Sequence, residues 1–101
     1  MRKMAGISFQ NNQIQISGEL DFYNVMSLYQ KSMPQLQKCP ELIFDFSAVK
    51  SSDSAGLALI IEWIKLSKQL KKSIHFTHLS SDIMSIAKAA GIDGIFNGNP
   101  A

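Results

Sequence analysis

The sequence predicts an α/β fold, in which α-helices pack against a mixed central β-sheet that begins with an N-terminal hairpin. Apolar and polar residues alternate near the N-terminus, and helical and strand patterns then take turns to the end of the chain. Strands separated by helices are typical of right-handed crossovers within one sheet. A chain of 101 residues has the usual size of one domain, so residues 1–101 are predicted to share a single core.

Two short alternating segments predict the hairpin. Ile7–Phe9 and Ile14–Ile16 each alternate apolar with polar side chains, and the segment 10–13 between them contains asparagines, which favour turns. We therefore expect two adjacent strands before residue 20.

The first helix is predicted to begin at Phe22. Apolar residues recur from there to Leu36 at helical spacing, and Asp21 is placed to serve as the N-cap. Pro34 lies inside this pattern and removes a backbone donor. The helix is therefore predicted to kink, or to stop and restart, near Met33.

The remaining segments alternate between strand and helix patterns. In order, they are a buried central strand Leu42–Phe46, a polar loop Ser47–Ser52, a helix Gly56–Lys72, a strand Ile74–Leu79, a helix Ser81–Ala90 closed by Gly91, and a short last strand Ile92–Phe96. This order completes the predicted α/β fold.

Charge and composition exclude several classes of function. The formal net charge is +2, from ten basic and eight acidic residues, which is too balanced to favour a nucleic acid partner. Cys39 has no partner for a disulfide, and no apolar run is long enough to span a bilayer. We expect a cytoplasmic protein that is neither exported nor inserted in a membrane.

The helix after residue 53 is apolar over an unusually wide arc. Its apolar side chains cover roughly 220°, against roughly 100° for a helix that is buried on one side only. Either the helix lies deep within its own domain, or a partner covers the excess. The apolar side chains are Leu57, Leu59, Ile60, Ile61, Trp63, Ile64, Leu66 and Leu70.

The start of this helix is a candidate binding site. Asp53 and Ser54 lead into it, and the free backbone N–H groups and dipole of a helix start favour an oxygen or an anion. Ser54 is placed to be exposed, although an ordinary N-cap would equally explain a serine here.

The spacing of these residues resembles the signature of STAS domains. In that family a strand ending Asp-x-Ser leads through a short loop into Asp-Ser-Ser/Ala-Gly, as Asp45-Phe46-Ser47 leads here into Asp53-Ser54-Ala55-Gly56. The resemblance implies the STAS fold and makes Ser54 the phosphoacceptor or partner-contact position. It implies a partner surface of Asp53, Ser54, Ala55, Gly56, Leu57 and Leu59, with a supporting loop of Asp45, Ser47, Ser51 and Ser52.

Within the family, the chain most resembles the STAS subunits (MlaB-like) of Mla-type phospholipid-transport ABC systems. The segment Ser17–Asp21, the short length and the Asn-Pro-Ala ending carry this resemblance. It implies a non-enzymatic protein without a cofactor, held at the inner membrane by an ATPase subunit (MlaF-like) that it stabilises or regulates. The alternative is an anti-sigma-factor antagonist that a serine kinase switches at Ser54. Ala55 stands where sporulation-type antagonists usually have a second serine.

No catalytic or metal site is predicted. A serine nucleophile needs a base, but the only two histidines, His75 and His78, lie on a predicted strand and would point to opposite faces of it. Ser54 also lacks the Gly-x-Ser-x-Gly turn of serine hydrolases.

Overall fold

A computed structural model describes residues 5–10 and 13–96 of the chain. Its elements are β1 (Ala5–Gln10), β2 (Gln13–Leu20), α1 (Val25–Lys38), β3 (Glu41–Ser52), α2 (Ser54–Gln69), β4 (Ser73–Thr77), α3 (Ser81–Ala89) and a 3₁₀ helix (Asp93–Phe96). The four strands form one sheet in the order β1-β2-β3-β4. The β1–β2 pair is antiparallel and the other two pairs are parallel. The predicted α/β fold, with its mixed sheet, its N-terminal hairpin and a central β3, is confirmed.

One face of the sheet carries the core. Strand alternation turns Ile14 and Ile16 of β2, and Phe44 of β3, toward the helices, where all three are buried. The ring of Phe44 lies 4.2 Å from that of Trp63 on α2, centroid to centroid. The indole N–H of Trp63 donates a 2.8 Å hydrogen bond to the hydroxyl of Ser32 on α1, so the two helices are joined through a buried polar contact.

Helix α2 is the middle helix of the layer. It contacts α1 and α3 as well as β3 and β4. Most of its wide apolar arc, although not Leu70, is therefore covered from within the chain, which favours the first of the two explanations that the sequence left open. No helix within residues 5–10 and 13–96 is long and apolar enough to cross a membrane.

The first helix begins later than predicted and does not stop at Pro34. It begins at Val25 with Asn24 as N-cap, because Asp21 instead closes a turn by accepting the Tyr23 backbone N–H at 2.9 Å. It also continues through Pro34 to Lys38, so the predicted stop and restart near Met33 is wrong, whereas the kink offered as the other outcome stays a prediction. Buried residues on both sides of the proline, Leu28 and Leu36, hold the two halves in the core.

Two further segments differ. Residues 47–52, predicted as a loop, belong to β3, because β2 is long enough to pair with it as far as Leu20 and Ser52. The predicted last strand is a 3₁₀ helix. The predicted end of α3 is confirmed, since Gly91 has the positive φ of 75° that follows many helices.

Candidate functional site

The candidate site lies at the N-terminus of α2. Asp53 is the N-cap, and its carboxylate accepts the backbone N–H of Ala55 at 2.8 Å. The backbone N–H of Asp53 itself donates to the carbonyl of Leu20 at 3.2 Å. The start of α2 is therefore attached directly to the end of β2.

Ser54 is the first residue of α2 and is exposed. Because Asp53 supplies the cap, the Ser54 hydroxyl is not needed for it, and no hydrogen bond from this hydroxyl is found among the described residues. The exposure predicted for Ser54 is confirmed, whereas its role as an N-cap is not. The hydroxyl is free to contact a partner or to accept a phosphate.

Gly56 marks a close approach between α2 and the end of β3. A Cβ atom at this position would overlap the Ser52 hydroxyl and would lie 3.2 Å from the Ser52 Cβ and 3.3 Å from the Leu20 Cβ. The Ser52 hydroxyl meanwhile donates to the Asp53 carbonyl at 2.9 Å. Packing therefore leaves no room for a side chain at position 56. This close contact sets the distance between the start of α2 and the end of β3.

Three acidic residues belong to segments that meet at the start of α2. Asp53 lies next to Ser54, and Asp82 at the start of α3 accepts the backbone N–H of Ser52 at 3.3 Å. Asp21 follows Leu20, the residue that accepts the Asp53 N–H. Asp21, Asp53 and Asp82 thus belong to the segments that meet at the start of α2, which makes this part of the chain rich in carboxylates.

Most of the predicted partner surface is buried. Ala55 and Gly56 are buried, and Leu57 and Leu59 are only 5% and 4% exposed. The predicted exposure of the two leucines is wrong because α1 and α3 flank α2 and cover its sides. Their role in the site is packing, which positions Ser54.

The exposed ridge of α2 consists of other residues. Ala58, Glu62 and Lys65 are exposed and Ile61 is half-buried, at the spacing of one helix face that starts with Ser54. Sequence analysis did not select them. Helical spacing counted from Ser54 identifies this exposed face, but only after the structure shows that Leu57 lies on the buried face.

The predicted supporting residues lie at different distances from Ser54. Ser52 and the half-buried Ser51 end β3 beside the start of α2. Asp45 and Ser47 lie earlier in β3, on the order of 20 Å away at ~3.3 Å per residue. The register of β3 against β2 shifts between Asp45 and Ala48, so the Asp-x-Ser segment itself contains a bulge, and it shifts again between Val49 and Ser51, closer to the site.

Asp45 has its own hydrogen-bond network. Its carboxylate accepts the backbone N–H of Ser47 at 2.9 Å and lies 3.1 Å from Nδ1 of His78. Burial acts to raise the pKa of Asp45, but the hydrogen bonds from Ser47 and then the contact with His78 outweigh it and lower the pKa below the ordinary 3.8. This carboxylate stabilises the bulge in β3.

Both histidines lie on the sheet face opposite the helices. His75 lies 3.3 Å from the carboxylate of Glu41, and His78, just after β4 with a positive φ of 55°, turns to the same face to reach Asp45. They are not on opposite faces, because β4 ends at Thr77. Neither histidine is near Ser54.

Comparison with known proteins gives one family and several named relatives. A family model described as "Mlab, STAS domain" matches residues 4–97. The anti-sigma-B factor antagonist of Bacillus subtilis (strain 168) is 26% identical over 85 residues, which cover 84% of this chain and 78% of that protein.

Solved structures of similar fold carry related names. The anti-sigma factor antagonist SpoIIAA in its unphosphorylated form has a TM-score of 0.69 at 16% identity, covering 90% of this chain and 84% of its own. An anti-sigma factor antagonist from Mycobacterium paratuberculosis has a TM-score of 0.72 at 21% identity, covering 99% of this chain and 87% of its own. At these identities the likeness concerns the fold.

Proposed function

Because the chain belongs to the STAS domain family, as the match over residues 4–97 shows, we propose that residues 1–101 act as a single, non-catalytic domain that binds a partner protein. The docking surface is centred on Ser54 and includes Asp53, Ala58 and Glu62. One observation carries the proposal: the Ser54 hydroxyl is exposed and not hydrogen-bonded at the start of a helix that Asp53 already caps.

The proposed partner is an anti-sigma factor, and the proposed regulator is a serine kinase that phosphorylates Ser54. The name of the Bacillus subtilis relative, with 26% identity over 84% of this chain, supports this class of partner better than a transport complex. We propose a cytoplasmic location on the same basis, because sigma factors act in the cytoplasm.

A phosphate on Ser54 would act as a release signal. It adds a charge of about −1.5 to −2 in the middle of the docking surface, directly beside the carboxylate of Asp53. Burying a charged group at the centre of an interface removes its hydration, which costs free energy unless an opposite charge is placed to pair with it. A phosphate is also much larger than a hydroxyl. We therefore expect the phosphorylated protein to dissociate from its partner.

A second candidate is a subunit that stabilises or regulates the cytoplasmic ATPase of an ABC-type phospholipid-transport system. The description of the matching family model, "Mlab, STAS domain", favours it, as does the resemblance of Ser17–Asp21. In this case the ATPase would hold the chain at the inner membrane, and the same surface around Ser54 would make the contact.

The proposed lack of catalysis is supported by the position of the possible bases. His75 and His78 contact Glu41 and Asp45 on the face of the sheet opposite the helices, so neither can take a proton from Ser54. Hydrolysis of ATP or of an ester by the pure protein, abolished by Ser54→Ala, would contradict the proposal.

Affinity purification of the tagged chain from its own cells tests the proposed partner. We expect an anti-sigma factor to co-purify, and phosphate to be found on Ser54 in the fraction of the chain that is free of this partner. Recovery of an ABC ATPase in its place would support the second candidate and contradict the first.

Substitution by arginine tests the docking surface itself. Ser54→Arg places a long charged side chain at its centre and should abolish binding, whereas Gln69→Arg places the same side chain at the far end of α2, about 22 Å away at ~1.5 Å per residue, and should not. Circular dichroism confirms that both variants are folded. Undiminished binding by folded Ser54→Arg would exclude this surface.

A further inference from the structure

An exposed apolar patch lies between β2 and the first turn of α1. The apolar patch consists of Phe22, Tyr23 and Met26, whose side chains are 75%, 93% and 64% exposed. These are the largest exposures of any large hydrophobic residue in the described part of the chain. Clustered apolar groups of this kind on a protein surface mark interaction sites.

The turn that carries the patch is held in place by hydrogen bonds. The Asp21 carboxylate accepts the Tyr23 N–H at 2.9 Å, and the Asp21 carbonyl accepts the N–H groups of Asn24 and Val25 at 3.2 Å each. The Asn24 side chain donates to the Glu19 carbonyl at 2.7 Å and accepts the Asp21 N–H at 3.1 Å. The two aromatic side chains therefore project from a fixed backbone, which lowers the entropy lost on binding.

The apolar patch is continuous with the proposed docking surface. Leu20 accepts the backbone N–H of Asp53 at 3.2 Å, and its Cβ is one of the atoms nearest to Gly56. Phe22 follows Leu20 by two residues, so the patch begins beside the start of α2. A partner that covers Ser54 would therefore lie close to the patch.

We propose that the apolar patch inserts into an apolar pocket of the same partner protein that binds Ser54, and that basic side chains of the partner border this pocket. The proposal rests on the proposed function. Aromatic side chains in such pockets often supply much of the affinity of an interface. The acidic residues Asp21, Asp53 and Asp82, on the segments that meet at the start of α2, match a basic rim.

The same charges disfavour two other occupants. In a symmetric dimer of this chain the patch would face its own copy, which would bring the carboxylates of Asp21 and Asp53 against each other. An anionic lipid surface would repel them too, and the segment 19–30 contains no lysine or arginine to offset this. A second, basic protein is the occupant that the surface fits.

Photo-crosslinking in cells tests which molecule covers the patch. With p-benzoylphenylalanine incorporated at position 23, we expect a crosslink to the anti-sigma factor or ABC ATPase that co-purifies with the unmodified chain, and loss of the crosslink when Ser54→Arg is added. The control position is Leu70, which is also exposed but lies at the other end of α2. A crosslink to a second copy of this chain or to lipid, or none at all, would overturn the proposal.

A titration with the purified partner measures the contribution of the patch. The double variant Phe22→Ser, Tyr23→Ser should bind at least ~30-fold more weakly than the parent, the loss expected for an interface hot spot, and Leu70→Ser should bind as the parent does. Binding should also weaken as salt is raised. Both side chains are exposed, so the double variant should keep the circular dichroism spectrum of the parent.

The outcomes separate the two proposals. If Ser54→Arg abolishes binding while the double variant binds as the parent does, the inference about the patch is overturned and the proposed function stands. If Ser54→Arg binds normally and the double variant does not, the partner docks on the patch and the surface around Ser54 is excluded.

Discussion

Replacing Gly56 by alanine tests whether the close approach of α2 to β3 sets the position of the site. The added Cβ would overlap the Ser52 hydroxyl and would lie 3.2 Å and 3.3 Å from two further carbon atoms, the Cβ atoms of Ser52 and Leu20. Rotation of the hydroxyl relieves the overlap but loses its 2.9 Å hydrogen bond to the Asp53 carbonyl. The two carbon contacts remain tighter than ordinary packing, so α2 must move.

The expected magnitude follows from two opposing effects. Overpacking costs about 1–3 kcal/mol, whereas replacing glycine by alanine inside a helix stabilises by roughly 0.5–1 kcal/mol. Gly56→Ala should therefore lower the free energy of unfolding by about 1–2 kcal/mol. With a denaturant slope of roughly 1–3 kcal/mol/M, the urea midpoint falls on the order of 1 M.

Urea unfolding followed by circular dichroism measures this loss, and Gly94→Ala is the matched control. A Cβ at Gly94 meets nothing within 4 Å, so that variant should be as stable as the parent or slightly more stable. The combination of Ser52→Ala with Gly56→Ala should cost less than the sum of the single changes, because the overlapping hydroxyl is gone. Parental or greater stability of Gly56→Ala would refute the packing explanation.

Three further predictions concern single polar side chains. Ser54→Ala should change the free energy of unfolding by less than about 0.5 kcal/mol, because its exposed hydroxyl does not cap α2. Asp53→Ala should lower it by about 1 kcal/mol, because the N-cap is lost. Equal losses of the two variants in urea unfolding would contradict this assignment of the cap. Because the pKa of Asp45 is lower when folded than its ordinary 3.8, the unfolded chain binds more protons in that range, so this stabilisation is present above pH ~4 and is lost as the pH falls further. Thermal unfolding from pH 6 to 2 should therefore show a smaller acid-dependent loss for Asp45→Asn than for the parent, and an unchanged loss would contradict it. His78→Ala should shift the Asp45 carboxyl titration, followed by NMR, to higher pH, and an unmoved titration would show that this histidine does not hold the carboxylate.

Local patterns predicted the features that depend on neighbouring residues in the chain. Alternation alone places Ile14 and Ile16 on the buried face of β2, and the turn-forming glycine at position 91 marks the end of α3. The exposure of Ser54 follows from its position at the start of a helix. These features need no knowledge of what packs against them.

The features that were mispredicted depend on the rest of the fold. The burial of Leu57 and Leu59 is decided by α1 and α3 on either side of α2, and the length of β3 is decided by β2 beside it. Phe22 fits the helical spacing of α1 but belongs to the exposed turn before it, so spacing alone put the start of the helix too early. A periodic pattern identifies a face but not the element that covers it.

The contact of Gly56 with the end of β3 also bears on how a signal at Ser54 could be transmitted. The start of α2 is fixed in three directions: by the hydrogen bond from Asp53 to Leu20, by the absence of space beneath Gly56, and by its neighbours α1 and α3. A phosphate on Ser54 would therefore not move the start of α2. A partner would respond to the charge and volume added at the Ser54 hydroxyl, while the backbone of this chain stays unchanged.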